Sequence, residues 1–134
     1  MKTTTENTEY TELNYPHSKI TDKIIKCAIE VHKTLGPGFQ ENIYETALIY
    51  ELQQIGLKVE NQKLIHIQYK GNIIGDHRLD LLVEDKVIVE NKAVKNFDDI
   101  HKAQMLSYLK ATGKRIGLLI NFAKIKINVK RIIL

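Results

Sequence analysis

The chain has 134 residues, 43% hydrophobic and 27% charged, with 20 Lys+Arg against 16 Asp+Glu for a net charge of +4. That length suits one domain with enough apolar material for a core, and the small basic excess is compatible with a polyanionic partner without demanding one. The one cysteine, Cys27, excludes an internal disulfide or a cysteine-cluster metal site and fits a reducing cytoplasm. There is no apolar run long enough for a membrane span, and the polar N-terminus carries no secretory h-region.

Residues 1–16 are rich in Thr, Glu and Asn and read as a flexible or loosely docked tail, which leaves 17–134 as a single domain. Over 19–35, Ile20, Ile24, Cys27, Ala28, Val31 and Leu35 recur at helical steps and predict a helix with one apolar stripe, capped by Ser18 or Thr21. Cys27 lies inside that stripe and reads as a buried small hydrophobe, not a nucleophile. Gly36-Pro37-Gly38 turns the chain into a second predicted helix over 40–55, which stops at Gly56. Helical periodicity gathers Glu41, Tyr44, Leu48, Leu52 and Ile55 in one sector, with Glu45 nearer its edge. Glu41 is thereby placed on the inward side of the first turn. A glutamate there also suits the helix dipole or a cap, but an inward direction marks it as a candidate site residue.

From Leu57 to Ala93 the pattern is that of strands. Val59–Tyr69 is followed by a Lys70-Gly71-Asn72 turn, then Ile73–Val83, where Gly75 signals a bulge or a close backbone approach. A Glu84-Asp85 turn leads into Lys86–Val94. Turns this short require antiparallel neighbours, hence a three-stranded meander. Alternation puts Ile88, Glu90 and Lys92 on one face, Val87, Val89 and Asn91 on the other, and Asp80 together with Leu82 on a face of the neighbouring strand. Carboxylates inside buried strands are costly unless paired or bound to a cation.

A further helix is predicted over 98–111, capped by Asp98 or Asn96 and ended by Gly113. Its apolar residues run nearly all the way round, so most of it is expected to be buried, and Gln104 and Tyr108 project together as i,i+4 neighbours. Arg115–Phe122 reads as a strand buried on both faces. The last strand is placed at 124–134, with Lys124, Lys126 and Lys130 on one face and Ile125, Ile127 and Val129 on the other. The lysine face reads as protection of a terminal edge, or alternatively as a stripe that contacts phosphates.

This order gives an α/β sheet with helices on its faces. Asp80 and the pair Glu90/Lys92 fall on adjacent strands, with Glu41 on the preceding helix and Gln104 on the following one. Carboxylates without a His or Cys cluster suit a hard divalent cation, Mg²⁺ or Mn²⁺. Asp80 and Glu90 are the expected ligands, with the Asn91 carbonyl as a third oxygen and Glu41 holding a water or a second ion. Lys92 is expected to orient an attacking water and to stabilise developing negative charge, which is the chemistry of phosphodiester hydrolysis. The competing reading is an internal ion-pair network without a metal.

Asp80 … Glu90-Asn91-Lys92 resembles the motif of the PD-(D/E)xK nuclease superfamily. The resemblance implies a restriction-endonuclease-like core, α-β-β-β-α-β, here with an extra N-terminal helix and C-terminal strand. Gln104-x-x-x-Tyr108 resembles the corresponding element of the superfamily's RecB-like branch. Gly38-Phe39-Gln40-Glu41-Asn42-Ile43-Tyr44 matches the signature for which the GxxExxY protein family is named, and the runs around Asp80 and Glu90 are also similar to that family. The resemblance spans residues 18–134. It implies Asp80, Glu90, Lys92, Glu41 and Gln104 as the catalytic set, Tyr44 and Tyr108 as supports, and a nucleic-acid substrate, DNA ahead of RNA. Leu79 stands where the superfamily name has proline, and Asn91 is polar where an apolar residue is frequent. So short a chain leaves base-specific reading to loops, a partner protein or a homodimer. The alternative function is a module of the same fold that binds nucleic acid or a partner without cutting.

Overall fold

A computed structural model describes residues 15–134, together with the backbone of Lys2–Thr3. The elements are β1 (Lys2–Thr3), α1 (Ser18–Leu35), α2 (Glu41–Gln54), β2 (Val59–Tyr69), β3 (Asn72–Val83), β4 (Val87–Lys92), α3 (Asp99–Thr112), β5 (Ile116–Asn121) and β6 (Asn128–Ile133). The strands form one sheet in the order β1-β6-β5-β4-β3-β2. β4 and β5 are parallel, joined through α3, and the other neighbours are antiparallel. This is the expected α-β-β-β-α-β core, with α1 ahead of it and β6 after it.

Local chemistry explains the element ends. Lys70-Gly71 and Glu84-Asp85 all have positive φ, as tight hairpin turns require, in a loop of two residues between β2 and β3 and of three between β3 and β4. The bulge expected near Gly75 is present: Ile67 pairs with Gly75 but Gln68 with Ile73, which leaves Ile74 as the extra residue. Asp98 caps α3 by accepting from the Ile100 N–H at 3.1 Å, and His101 completes a capping box. α1 differs slightly from expectation. Its cap position is His17 at φ 54, without a side-chain bond, and the Thr21 hydroxyl instead donates to the Ser18 carbonyl at 3.1 Å.

Two cores lie on the two faces of the sheet. α1 and α2 cover the first, with Ile24, Val31, Tyr44 and Leu48 packed on Leu81, Val89, Leu118 and Phe122. α3 covers the second, with Met105 and Leu109 packed on Leu82, Ile88 and Leu119. Gly117 makes this approach feasible, because a Cβ there would lie 2.2 Å from Met105 Sδ. β5, between the two layers, is buried along its full length as expected. Cys27 is buried in the first core, and burial together with the Glu51 charge pushes its thiol pKa up, against any role as a nucleophile.

Alternation breaks at one point. Leu81 and Val83 belong to the first core, yet Leu79 on the same strand belongs to the second. Opposite the break, between the pairs Asn61↔Leu81 and Lys63↔Leu79, Gln62 has φ 53. The β2–β3 hairpin therefore rolls over at Asp80 and Gln62, and its outer part, with Ile65 and Ile67, packs beneath α3.

Four expectations need correction. β6 begins at Asn128, so Lys124 and Lys126 lie in the bends before it and share no strand face with Lys130; Ile125, assigned to the apolar face, is 92% exposed. β6 is also not the sheet edge, because β1 pairs along it, with Lys2 opposite Arg131. α3 buries only Met105 and Leu109, and Ile100, Ala103 and Ala111 are exposed, because a single helix on a sheet covers one stripe. Ile55 lies beyond the end of α2 and is exposed rather than inward. The tail reading falls on residues of which 1 and 4–14 lie outside the described ones. Tyr15, at its end, packs against the first core with the Arg131 guanidinium 5.0 Å from its ring centroid.

Candidate active site

β3 and β4 stay paired only as far as Leu81↔Val89 and then separate. Asp80 and Glu90 are the next residues on each strand, and each carboxylate replaces a missing ladder bond. Glu90 Oε2 accepts from the Asp80 N–H at 2.8 Å, and Asp80 Oδ2 accepts from the Asn91 N–H at 2.9 Å. The two acids are thus fixed at the point where the strands part, each by the other strand's backbone. Each commits one oxygen to this exchange and keeps a second.

The environment opposes their charge. Burial pushes the Glu90 carboxyl up to about 8, and the Asp80 charge adds to this, while the Asp80 N–H and Lys92 offset part of it. Burial also raises Asp80, and Glu41 acts in the same direction; the Asn91 N–H, Lys92 and the Gln62 amide work against them. A pair of desolvated acids relieved only partly by one lysine is an arrangement that a cation completes. Among the described residues no set of three His, Cys, Asp or Glu side chains forms a closed metal cage. Two carboxylates with spare oxygens fit a hard divalent ion that keeps the rest of its shell for water and phosphate, as Mg²⁺ does. Asn91 turns its N–H toward Asp80, and in a strand the carbonyl of the same residue faces the same side, so the expected third oxygen borders the same gap.

α2 supplies the next layer. Gly38, at φ 115, takes a conformation suited to glycine, and the Tyr44 hydroxyl fastens the turn by donating to the Gly36 carbonyl at 2.6 Å and accepting from the Phe39 N–H at 3.1 Å. The Tyr44 ring stacks on Phe122 at 4.5 Å and 5°. This anchor sets the start of α2, where Glu41 Oε1 accepts from the Ala93 N–H at 3.2 Å, one residue past Lys92. Glu41 is exposed, contrary to its expected inward position, but it is aimed at the end of β4. Asn121 holds the chain after β4 by bonding both the carbonyl and the N–H of Val94, at 2.7 and 3.2 Å.

α3 contributes Tyr108, whose ring stacks on His77 of β3 at 4.2 Å and 15°. Burial raises the Tyr108 pKa, and the charges of Glu90 and Asp80 add to it, which places the phenol in the field of the acids. Gln104, one turn earlier, is exposed and makes no hydrogen bond to them. The structure therefore brings Asp80, Glu90, Lys92, Glu41 and Tyr108 into one neighbourhood and leaves Gln104 at its margin. Lys124 and Lys130 converge elsewhere: Lys124 donates to Asn96 Oδ1 at 2.8 Å, and the Lys130 ammonium lies 5.6 Å from the Phe97 ring centroid.

Several participants escape a reading of the sequence. Glu45 accepts from Asn61 and Gln62 at 3.1 and 2.9 Å, and burial, followed by the Asp80 charge, raises its pKa. The signal for Glu45 is its place one helical turn after Glu41. Asn61, Gln62 and His77 carry no periodic signal, because their roles depend on how the hairpin rolls over.

A family model for the PD-(D/E)XK nuclease superfamily matches residues 18–132. No curated protein matches the chain. Among the solved structures that share its fold, two are 15% identical to it. One is the crystal structure of SSO0001, with a TM-score of 0.54 over 85% of this chain and 77% of that one. The other is an alkaline exonuclease, LHK-Exo, from Laribacter hongkongensis, with a TM-score of 0.51 over 92% and 73%. The family match takes in both acids, Lys92 and the helices around them, and the chain belongs to the PD-(D/E)XK nuclease superfamily.

Proposed function

We propose that this protein is a GxxExxY-type nuclease that hydrolyses phosphodiesters, in DNA ahead of RNA, with Mg²⁺ or Mn²⁺. The observation that carries the reading is the crossed bonding of Asp80 and Glu90 at the parting of β3 and β4. It holds two carboxylates together against their mutual repulsion, with Lys92 beside them on the face of Glu90. The likeness to an alkaline exonuclease supports the same direction.

A divalent cation bound there supplies Lewis-acid polarisation of a phosphoryl oxygen and acidifies a water. Asp80 and Glu90 would hold such an ion, with the Asn91 carbonyl as a third oxygen. Lys92 orients the attacking water and offsets negative charge on the phosphoryl group. Glu41, tied to the Ala93 N–H, borders the site and would hold a water or a second ion. Tyr108 and His77 form a stacked wall on the α3 side. The functional unit is the single domain 17–134, working in the cytoplasm, and base-specific reading falls to loops, a partner or a second copy.

The test is cleavage of single-stranded DNA, duplex DNA and RNA in Mg²⁺, Mn²⁺ or EDTA. Asp80→Asn, Glu90→Gln and Lys92→Met each lower the metal-dependent rate by roughly a hundredfold or more, with the fold retained by circular dichroism. Full-rate cleavage in all three variants removes this assignment. Salt-sensitive binding without cleavage of any substrate leaves a binding module of nuclease fold instead.

A further inference from the structure

Gln62 is a non-glycine residue at φ 53 in the interior of β2. L-residues avoid that conformation, and the other left-handed non-glycine residues have local reasons for it: His17 precedes a helix, and Lys70, Glu84 and Asp85 sit in tight turns. Gln62 has no turn to account for it. Its own contacts do account for it. Its carbonyl accepts from Arg78 Nη1 at 3.1 Å, and its Nε2 donates to Glu45 Oε1 at 2.9 Å. The same amide is among the groups that offset the rise of the Asp80 carboxyl pKa. Asn61, its neighbour, donates from Nδ2 both to that Glu45 oxygen at 3.1 Å and to the Asp80 carbonyl at 3.2 Å. One carboxylate of α2 thus organises two amides of β2, one of which holds Asp80 by its backbone carbonyl.

We propose that Gln62 is a positioning residue: its strained backbone presents its amide to Glu45, the carboxylate that also holds Asn61 against the Asp80 carbonyl, and so fixes the orientation in which Asp80 meets a cation. This rests on the reading of Asp80 as a cation ligand. Glu45 acts through Gln62 and Asn61 and does not itself need to reach the ion. Strain retained inside an edge strand, beside the acids, is explained because relaxing it turns the amide away from Glu45.

Gln62→Gly is the informative variant, because glycine accepts the backbone conformation while lacking the amide. Gln62→Ala lacks both advantages. Two readouts apply to the full chain. The first is Mn²⁺ affinity by calorimetry, which falls about 10- to 100-fold in Gln62→Gly, the range for groups that orient a metal ligand. Cleavage by this variant recovers as Mn²⁺ is raised to saturation. The second is hydrogen exchange of the Asn91 amide in metal-free protein, since that N–H donates to Asp80 Oδ2. It exchanges about tenfold faster once the carboxylate is released. Glu45→Gln, which keeps an oxygen for the two amides, stays closer to wild type in both readouts than Glu45→Ala. Unchanged Asn91 exchange in Gln62→Gly overturns the proposal. Wild-type protein that binds no Mn²⁺ overturns the cation reading instead, and the exchange measurement still decides the role of Gln62.

Discussion

Glu90 has the most strongly displaced carboxyl of the site, and its displacement has a consequence in solution. The side chain is 5% exposed, and burial, followed by the Asp80 charge, pushes its carboxyl from an ordinary 4.5 up to about 8 in the folded chain. The unfolded chain releases this proton above about pH 4.5, whereas the folded chain keeps it to about pH 8. Proton binding therefore favours the folded state below that window, and the contribution is lost as the pH rises through it. In metal-free protein the unfolding free energy falls between about pH 5 and about pH 8 by on the order of a few kcal/mol. Glu90→Gln cannot lose a proton and flattens this fall. Urea unfolding of both proteins in EDTA at the two pH values is the measurement, and equal slopes would exclude Glu90 as the source.

The start of α2 shows how a short signature becomes geometry. Tyr44 is fully buried, and its hydroxyl spans the turn from Gly36 to Phe39. Tyr44→Phe keeps the stack on Phe122 but loses both bonds, which costs about 1–3 kcal/mol where buried partners are left unmet. Thermal unfolding reads that loss. Glu41, three residues earlier, is then less firmly directed at Ala93, so cleavage slows while Mn²⁺ affinity at Asp80 and Glu90 stays near wild type. Equal losses of affinity and rate would mean that the turn supports the acids directly. Much of this level was legible in the sequence. The stripe of α1, the two hairpin turns and the bulge beside Gly75 follow from local preferences, and Asp80, Glu90 and Lys92 converge because alternation and short turns leave little freedom. What escaped depends on distant partners. Arg131 is buried because Asp22, 109 residues away in sequence, accepts from its Nη2 at 2.7 Å. Gln62 takes its backbone conformation from Glu45 and Arg78. Asn91 keeps a 1% exposed amide with no hydrogen-bond partner for either side-chain atom, a placement for which the structure offers no local reason.

At the scale of the molecule, the acids lie at the seam between the two cores, where β3 leaves β4 and the hairpin changes its covering layer. A cation held there joins strands that otherwise separate, so its binding is coupled to global unfolding rather than to a loop. Ligand that binds only the folded state adds RT ln(1 + [L]/Kd), about 2.7 kcal/mol at a hundred times Kd. For a domain of this size that corresponds to a rise in Tm of about 10 °C. Because Glu90 holds its proton to about pH 8, binding near neutrality also releases a proton, and the rise is larger at about pH 8 than at about pH 6. Asp80→Asn and Glu90→Gln abolish the rise. Lys92→Met behaves differently: it retains the rise and loses cleavage, because in the proposed mechanism the lysine acts on the water and the phosphoryl group and does not ligate the ion. Scanning calorimetry over a Mn²⁺ titration separates these cases. An undiminished rise in an Asp80→Asn/Glu90→Gln double variant places the stabilising ion elsewhere on the chain, and loss of the rise in Lys92→Met makes that residue part of the support for the carboxylates rather than of the chemistry.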